Sequence, residues 1–273
     1  MLPGRIPSST VVKSTVRDTL KGRWTEAVVV GLLPVFCYYI FNMLLSVTLL
    51  FAKNESGYIL VAIGCVSALF ILLPLFYGVL RWFWRATDGA IEDISSAFYY
   101  FMSKKAYVRA VKLSLVICFK AGVIVFLCMI PYFAVQILSH FWLYDIFKEA
   151  LPVWAVNISA FKNLFYVFGI LLAIATSLRY YLVPIIAVMD DDLLILEAVH
   201  ISTTLSKKSL SAFFNLICSN IGWIFLSLLA LPLIYTAPFL IGCYVVHPRF
   251  VITNYNLNLE FYENNRFHSY YKV

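Results

Sequence analysis

Two cations stand where cations are rare. Lys120 and Arg179 each lie inside an apolar run, about 10–16 Å from its basic end at 1.5 Å per residue. No Asp or Glu falls inside an apolar run to pair with them. A charged group at a bilayer centre costs about 2.5–3.5 kcal/mol on insertion scales, so such groups face a protein interior or a wet cavity. One chemistry for the pair is an electropositive cavity, open to the cytoplasm, that attracts a small anion or a lipid headgroup. The plainer reading is that both side chains snorkel to the inner interface. Both lie in the inner half, within snorkelling reach, which favours the plainer reading; for Lys112, nearer the interface still, snorkelling is ample.

The second cluster is acidic. Asp190, Asp191 and Asp192 are followed by Glu197 and His200, and Asp88, Glu92 and Asp93 are the only plausible converging partners for a divalent ion. Adjacent acids at a helix start more often cap free N–H groups and complement the helix dipole. Capping, with pairing to nearby lysines, is the expectation here. His140, His200, His247 and His268 have no metal-ligand spacing. Ser202, Thr203, Thr204 and Ser206 have no base beside them except His200, which is weak support for hydrolysis. No glycine-rich phosphate loop appears. The expectation is therefore no catalytic residue, no metal and no cofactor.

The elements that hold these residues are membrane helices. Hydrophobic residues make up 62% of the 273-residue chain and charged residues 13%, a balance that suits a polytopic membrane protein. About 20 apolar residues cross a core of roughly 30 Å. The runs Ala27–Phe51, Tyr58–Arg81, Leu113–Leu138, Leu164–Met189, Phe213–Leu231 and Leu233–Ile252 meet that length. The last two form one apolar run broken by Pro232 and Pro238, either a tight hairpin or a kinked re-entrant pair. The first run is too long for a cleaved signal peptide and is expected to stay as a span.

Orientation follows from basic residues. Arg5, Lys13, Arg17, Lys21 and Arg23 precede the first run. Arg85, Lys104, Lys105 and Arg109 fill the second connection, and Lys207 and Lys208 the fourth. The opposite side has Lys53, Lys148 and Lys162 alone. This puts both termini in the cytoplasm. It also accounts for the net charge of +7 without nucleic acid. Trp24, Trp82 and Trp84 mark the inner boundary, Trp142 and Trp154 the outer. Ser139–Asn163 mixes aromatics with Asp145, Lys148 and Glu149, as a helix lying on the outer surface would. Asn54-Glu55-Ser56 and Asn157-Ile158-Ser159 match glycosylation sequons on outer loops. The cysteines (Cys37, Cys65, Cys118, Cys128, Cys218, Cys243) lie in apolar runs without C-x-x-C spacing and read as small hydrophobes.

A threefold pattern recurs before the runs. Ser103-Lys104-Lys105 follows an amphipathic stretch opened by Asp88, with Ile91, Ile94, Phe98 and Phe101 on one face. Ser206-Lys207-Lys208 follows one opened by Asp190–Asp192, with Leu194, Ala198, Ile201 and Leu205 on one face. Val12, Val16 and Leu20 stripe the N-terminal stretch. Spacings of three and four make each an interfacial helix, so Lys104, Lys105, Lys207 and Lys208 are candidate contacts to anionic lipid on the cytoplasmic leaflet. Asn42, Asn215, Ser219 and Asn220 are expected to hydrogen-bond between helices, and Gly169, Ala173 and Ser177 make a small-residue stripe for close helix approach. Pro34, Pro74, Pro131 and Pro184 read as packing kinks.

Val16-Arg17-Asp18-Thr19-Leu20-Lys21-Gly22-Arg23-Trp24, then Arg179-Tyr180-Tyr181-Leu182-Val183-Pro184, Ala198 to Lys208, Asn220-Ile221-Gly222-Trp223 and Ala237-Pro238-Phe239 together resemble the "domain of unknown function 975" family of Gram-positive membrane proteins. The departures are Arg23, where that family has asparagine or lysine, and Phe239, where it has tyrosine. The resemblance implies a six-helix bundle without an assigned activity. It also extends distantly to the membrane domains of some glycerophosphodiester phosphodiesterases, whose catalytic domain this chain is not expected to accommodate.

The fold expected is an all-α, polytopic membrane bundle of six transmembrane helices with amphipathic interfacial helices on the cytoplasmic side. Residues 1–252 form the membrane domain and residues 253–273 a polar cytoplasmic tail. The function expected is a non-enzymatic accessory or scaffold component of the cell envelope in the plasma membrane. Its partners are membrane lipids and another membrane protein, and nucleic acid is not among them. The rival is a transporter or channel for a small anion or lipid.

Overall fold

The first helix shows how the apolar spacing is used. In the computed structural model, which describes residues 7–51, 55–90, 92–138 and 153–270, α1 (Ser9–Leu20) carries Val12, Val16 and Leu20 at intervals of four. All three are at most 1% exposed. The stripe foreseen as lipid-facing is covered by protein. Gly22, at φ 83°, takes the left-handed turn that lets the chain leave α1 and enter α2 (Trp24–Phe51).

α2 and α3 (Glu55–Thr87) pack antiparallel, with Gly64 against Phe41 and Leu45 at one end and the Arg23 guanidinium over Trp82 at the other. Burial is concentrated at that second end, where Val79, Leu80, Trp82 and Phe83 are at most 1% exposed. α3 runs six residues past the expected boundary at Arg81 for this reason: its last turns face protein. Asp88 and Gly89 (φ 77°) then turn the chain.

The expected helix from Asp88 does not start there. A short 3₁₀ segment, Ile94–Phe98, begins after Asp93, whose carboxylate accepts the Ile94 N–H at 2.8 Å, and α4 (Tyr99–Met102) continues it. Ala97 and Tyr100 pack inward, while Phe98, Phe101 and Met102 face outward. Gly78 makes that packing possible, because a Cβ there would stand 1.8 Å from the Ala97 carbonyl oxygen. Ser103 is extended (φ −131°, ψ 128°) and separates α4 from α5 (Lys104–Leu138).

The expected fourth span is interrupted. α6 (Val153–Ser177) tightens into a 3₁₀ turn, Leu178–Tyr180, and α7 (Val183–Met189) follows with Pro184 in its first turn. Proline lacks an N–H and crowds the preceding turn; α2, α3 and α5 run on through Pro34, Pro74 and Pro131, whereas at Pro184 a new helix starts. α7 is core: Leu182, Val183, Ile185 and Ile186 are at most 1% exposed, packed between α3 and α8 (Ile195–Ser219). Asp190–Asp192 precede α8 instead of opening its first turn.

The expected fifth span, Phe213–Leu231, is not one helix. α8 ends at Ser219, Asn220 (φ −99°, ψ 3°) breaks it, and α9 (Ile221–Leu226) lasts six residues before a turn leads into α10 (Ala230–Tyr270). Pro232 sits in the first turn of α10, where proline is tolerated, while Pro238, expected to break the run as well, lies inside α10. Among the described residues five segments are long and apolar enough to cross a membrane: Trp24–Thr48, Val66–Thr87, Lys104–Ile137, Lys162–Met189 and Leu231–Tyr255. α10 continues helically into the expected tail as far as Tyr270. The outer-surface helix expected within Ser139–Asn163 falls, for residues 139–152, outside the described residues.

The chain divides into two compact units. One comprises the residues up to Ser114 together with those from Leu182 onward; the other is Leu115–Tyr181. In the second, Gly169 of the small-residue stripe approaches α5, where a Cβ would stand 2.9 Å from the Cys128 carbonyl oxygen. Tyr132 and Tyr166 meet at 5.3 Å between ring centroids.

Gly78→Ala is expected to lower thermal stability in detergent by about 1–3 kcal/mol through overpacking. Gly122→Ala, with nothing within 4 Å of its added methyl, is expected to leave it unlowered. Equal losses in both would contradict the packing account.

Candidate functional site: an arginine and carboxylate layer

Charged side chains far apart in sequence converge at the C-terminal end of α3. Two of its members, Arg81 and Arg85, come from α3 itself, and Asp88 follows it directly. Arg81, at the end of the apolar run, sends its guanidinium to Asp191 Oδ2 at 2.7 Å and lies over the Tyr99 ring at 3.7 Å from the centroid. The Tyr99 hydroxyl donates to the same Asp191 oxygen at 3.0 Å. One turn on, Arg85 pairs with Glu92 at 2.5 Å. Asp88 pairs with Arg249 of α10.

Other elements close the layer. Arg249 also donates to Thr87 Oγ1 at 2.6 Å and stacks over Trp84. Arg23 donates to the carbonyls of Ala90 (2.8 Å) and Glu92 (3.3 Å), pairs with Glu26 at 3.1 Å, and covers Trp82. Arg109 on α5 donates to the Asp190 carbonyl at 2.6 Å. Guanidinium suits this work because its planar fork can hydrogen-bond in plane while its face rests on an aromatic ring. Lysine offers a point charge and no such face.

The electrostatics match the geometry. Burial pushes the Tyr100 hydroxyl up to about 12, with Asp191 adding to the shift. Tyr99 is raised by burial and by its bond to Asp191. Burial alone would raise the Glu92 carboxyl, but Arg85 more than offsets it and holds Glu92 below its ordinary value of 4.5. These groups keep fixed protonation states near neutrality. That suits holding a structure together and does not suit shuttling protons.

The residues singled out from sequence fall into three places. Lys104 and Lys105 are exposed in the first turn of α5. Lys207 and Lys208 are exposed on α8, away from Ser202, Ser206 and Ser209, which are buried. Asp191 pairs with Arg81 and not with a lysine, while Asp190 Oδ1 accepts the Asp192 N–H at 2.9 Å. No three His, Cys, Asp or Glu side chains among the described residues group as metal ligands. Asn42 donates to the Tyr38 carbonyl of its own helix at 3.0 Å, so its bond is not interhelical. Ser219 does receive an interhelical bond: Lys13 Nζ reaches its carbonyl at 2.7 Å and its hydroxyl at 2.6 Å.

Lys120 is half-buried on α5, and Arg179 is exposed in the 3₁₀ turn after α6. The contacts Gly169–Cys128 and Tyr132–Tyr166 make α5 and α6 antiparallel. Both cations therefore lie on the same side of that crossing.

Sequence reasoning missed Arg81 and Arg249 as site residues. The available signal was the one used for Lys120: each is a charge at or within a long apolar run. Compared with protein-family models, curated proteins and solved structures, the chain matches none. The site is read from its own chemistry.

Glu92 gives a pH signature. Its folded value lies below 4.5, so its contribution is complete above that pH and is lost as pH falls through the folded value. Stability in detergent is expected to drop on acidification below about 4.5, and Glu92→Gln is expected to flatten that part of the curve. An unchanged acid limb in the variant would contradict the Arg85–Glu92 pairing.

Proposed function

We propose that this chain is a non-enzymatic integral protein of the plasma membrane, with both termini in the cytoplasm, acting as an accessory or scaffold component of the cell envelope. One observation carries the reading. The charged groups that converge are engaged with each other, Arg81 with Asp191 and Tyr99, Arg85 with Glu92, Arg249 with Asp88, leaving a braced surface in place of an acid–base pair. Such a surface suits bracing and docking.

The basic face supplies the lipid side of the proposal. Lys104, Lys105, Lys207 and Lys208 are exposed, and each cation near an anionic leaflet is worth about 1 kcal/mol. The segment Ile94–Met102 is the interfacial element of this reading. Phe98, Phe101 and Met102 are 40%, 42% and 67% exposed on its outer face. Crosslinking in native membranes followed by mass spectrometry is expected to recover a stoichiometric membrane-protein partner. A chain that crosslinks to nothing, at any reagent length, would contradict the accessory role.

A second reading has one observation in its favour: Lys120 and Arg179 share one end of the α5–α6 crossing, as an electropositive site for a small anion or lipid headgroup would require. On this reading Lys120→Leu and Arg179→Leu abolish anion or lipid flux in reconstituted vesicles while the protein stays folded. Flux unaltered by both substitutions would exclude it.

A further inference from the structure

We propose that the end of α8, α9 and the start of α10 form a wedge that enters the membrane from the basic side and returns to it without crossing, its apolar tip seated among the acyl chains of the cytoplasmic leaflet. This inference stands on geometry and does not depend on the accessory role.

Charges fix both limbs of the wedge at one side. The chain enters α8 just after Asp191, which is held by Arg81 in the arginine layer. At the other end of α8, Ser219 accepts two bonds from Lys13 of α1. The outward face of α1 carries Ser14, Arg17 and Asp18, with Lys21 directly after the helix, all exposed, and those groups need water. On the return limb the Arg17 guanidinium stands over Phe239 at 5.9 Å, Val16 packs on Gly242, and Arg249 reaches Asp88. The α10 axis from Phe239 to Arg249 is therefore bounded at both ends by cations of the basic end.

What lies between is short and apolar. From Ser219 to Phe239 the chain goes out and back, about ten residues a limb, or ~15 Å at 1.5 Å per residue. That is about half of a ~30 Å hydrocarbon core. Every residue between them is uncharged. Exposure of apolar side chains peaks at the turn, with Leu228 at 78% and Leu231 at 82%, flanked by Phe225 and Leu229. Where the limbs emerge, Trp24 stacks on Tyr235 at 4.6 Å and Trp223 lies 5.5 Å from Phe239. An aromatic collar beneath a ring of cations is how a segment sits at a membrane interface, and Lys13, Arg17 and Lys21 complement an anionic leaflet.

The wedge settles a parity problem. Five crossings would put the termini on opposite sides, whereas the basic residues put them on the same side. If Leu231–Tyr255 returns without crossing, the other four candidate spans bring the chain back to the side it started from. Leu231–Tyr255 is also the least hydropathic of the five, at 1.3.

The test uses the full chain, with its cysteines replaced, in vesicles of phosphatidylglycerol and phosphatidylcholine. Single cysteines are placed at Leu228→Cys, with Leu231→Cys as a second tip position, and at Lys208→Cys and Ser14→Cys as markers of the basic side. A bimane label at either tip position is expected to be quenched by spin labels on lipid acyl chains, at a depth within the leaflet that holds the two markers. Reaction of the tip with an impermeant maleimide from the face opposite the markers would overturn the wedge, because the hairpin would then cross. Absence of acyl-chain quenching would overturn it as well, whether the tip faces water or is covered by a second copy of the chain.

Discussion

A guanidinium next to a hydrocarbon core must be paired, and the placement of Arg81 makes that constraint govern this molecule. Arg81 ends an apolar run and lies 10% exposed beside Asp191. Arg81 left without Asp191 would be a buried, unpaired cation, although Asp191 itself is 36% exposed and screened by solvent. The pair joins α3 to the residues that precede α8, across more than a hundred positions of sequence. Once it is made, α7 is confined between α3 and α8, and its Val183, Ile185 and Ile186 have no route to solvent or lipid. Arg85, Asp88, Arg23 and Arg249 extend the same constraint to the loop after α3, the start of α2 and the middle of α10.

Packing and charge cooperate in this layer. Guanidinium planes rest on Trp82, Tyr99 and Trp84, so the rings that fill the core also stabilise the cations. Gly78 lets Ala97 approach the α3 backbone, which carries Tyr99 to within reach of Asp191. A helix boundary, a close approach and an ion pair thus depend on one another. The exposed lysines Lys104, Lys105, Lys207 and Lys208 remain outside this network.

Much of the helical content was legible in the sequence because composition and spacing report burial of one face. Val12, Val16 and Leu20 were readable as a stripe, but spacing does not say whether lipid or protein covers a stripe, and here it is α10. The apolar run from Phe213 to Leu231 misled for a related reason. Hydropathy counts side chains and ignores backbone hydrogen bonding, so it passed over Asn220, where the helix stops; Pro232 was legible as a break, whereas Pro238, read the same way, lies inside α10. The paired Ser-Lys-Lys signatures show the limit of repeat reading: Ser103 separates two helices, whereas Ser206 lies buried in the middle of α8. The arginine layer was the least legible part, since Arg81 and Asp191 lie on different elements and nothing local links them.

The central claim is that charges from α1, α3 and α10 hold both ends of the last hairpin at one membrane face. The contact that tests it most directly is Lys13 to Ser219. With the native cysteines replaced, Thr10→Cys and Ser219→Cys in one chain, which keep Lys13 and the residue-219 carbonyl that accepts from it, should be joined in native membranes by a short bis-maleimide, giving an intramolecular crosslink. Single labelling of each cysteine without crosslinking, under conditions where the chain remains folded, would contradict the account.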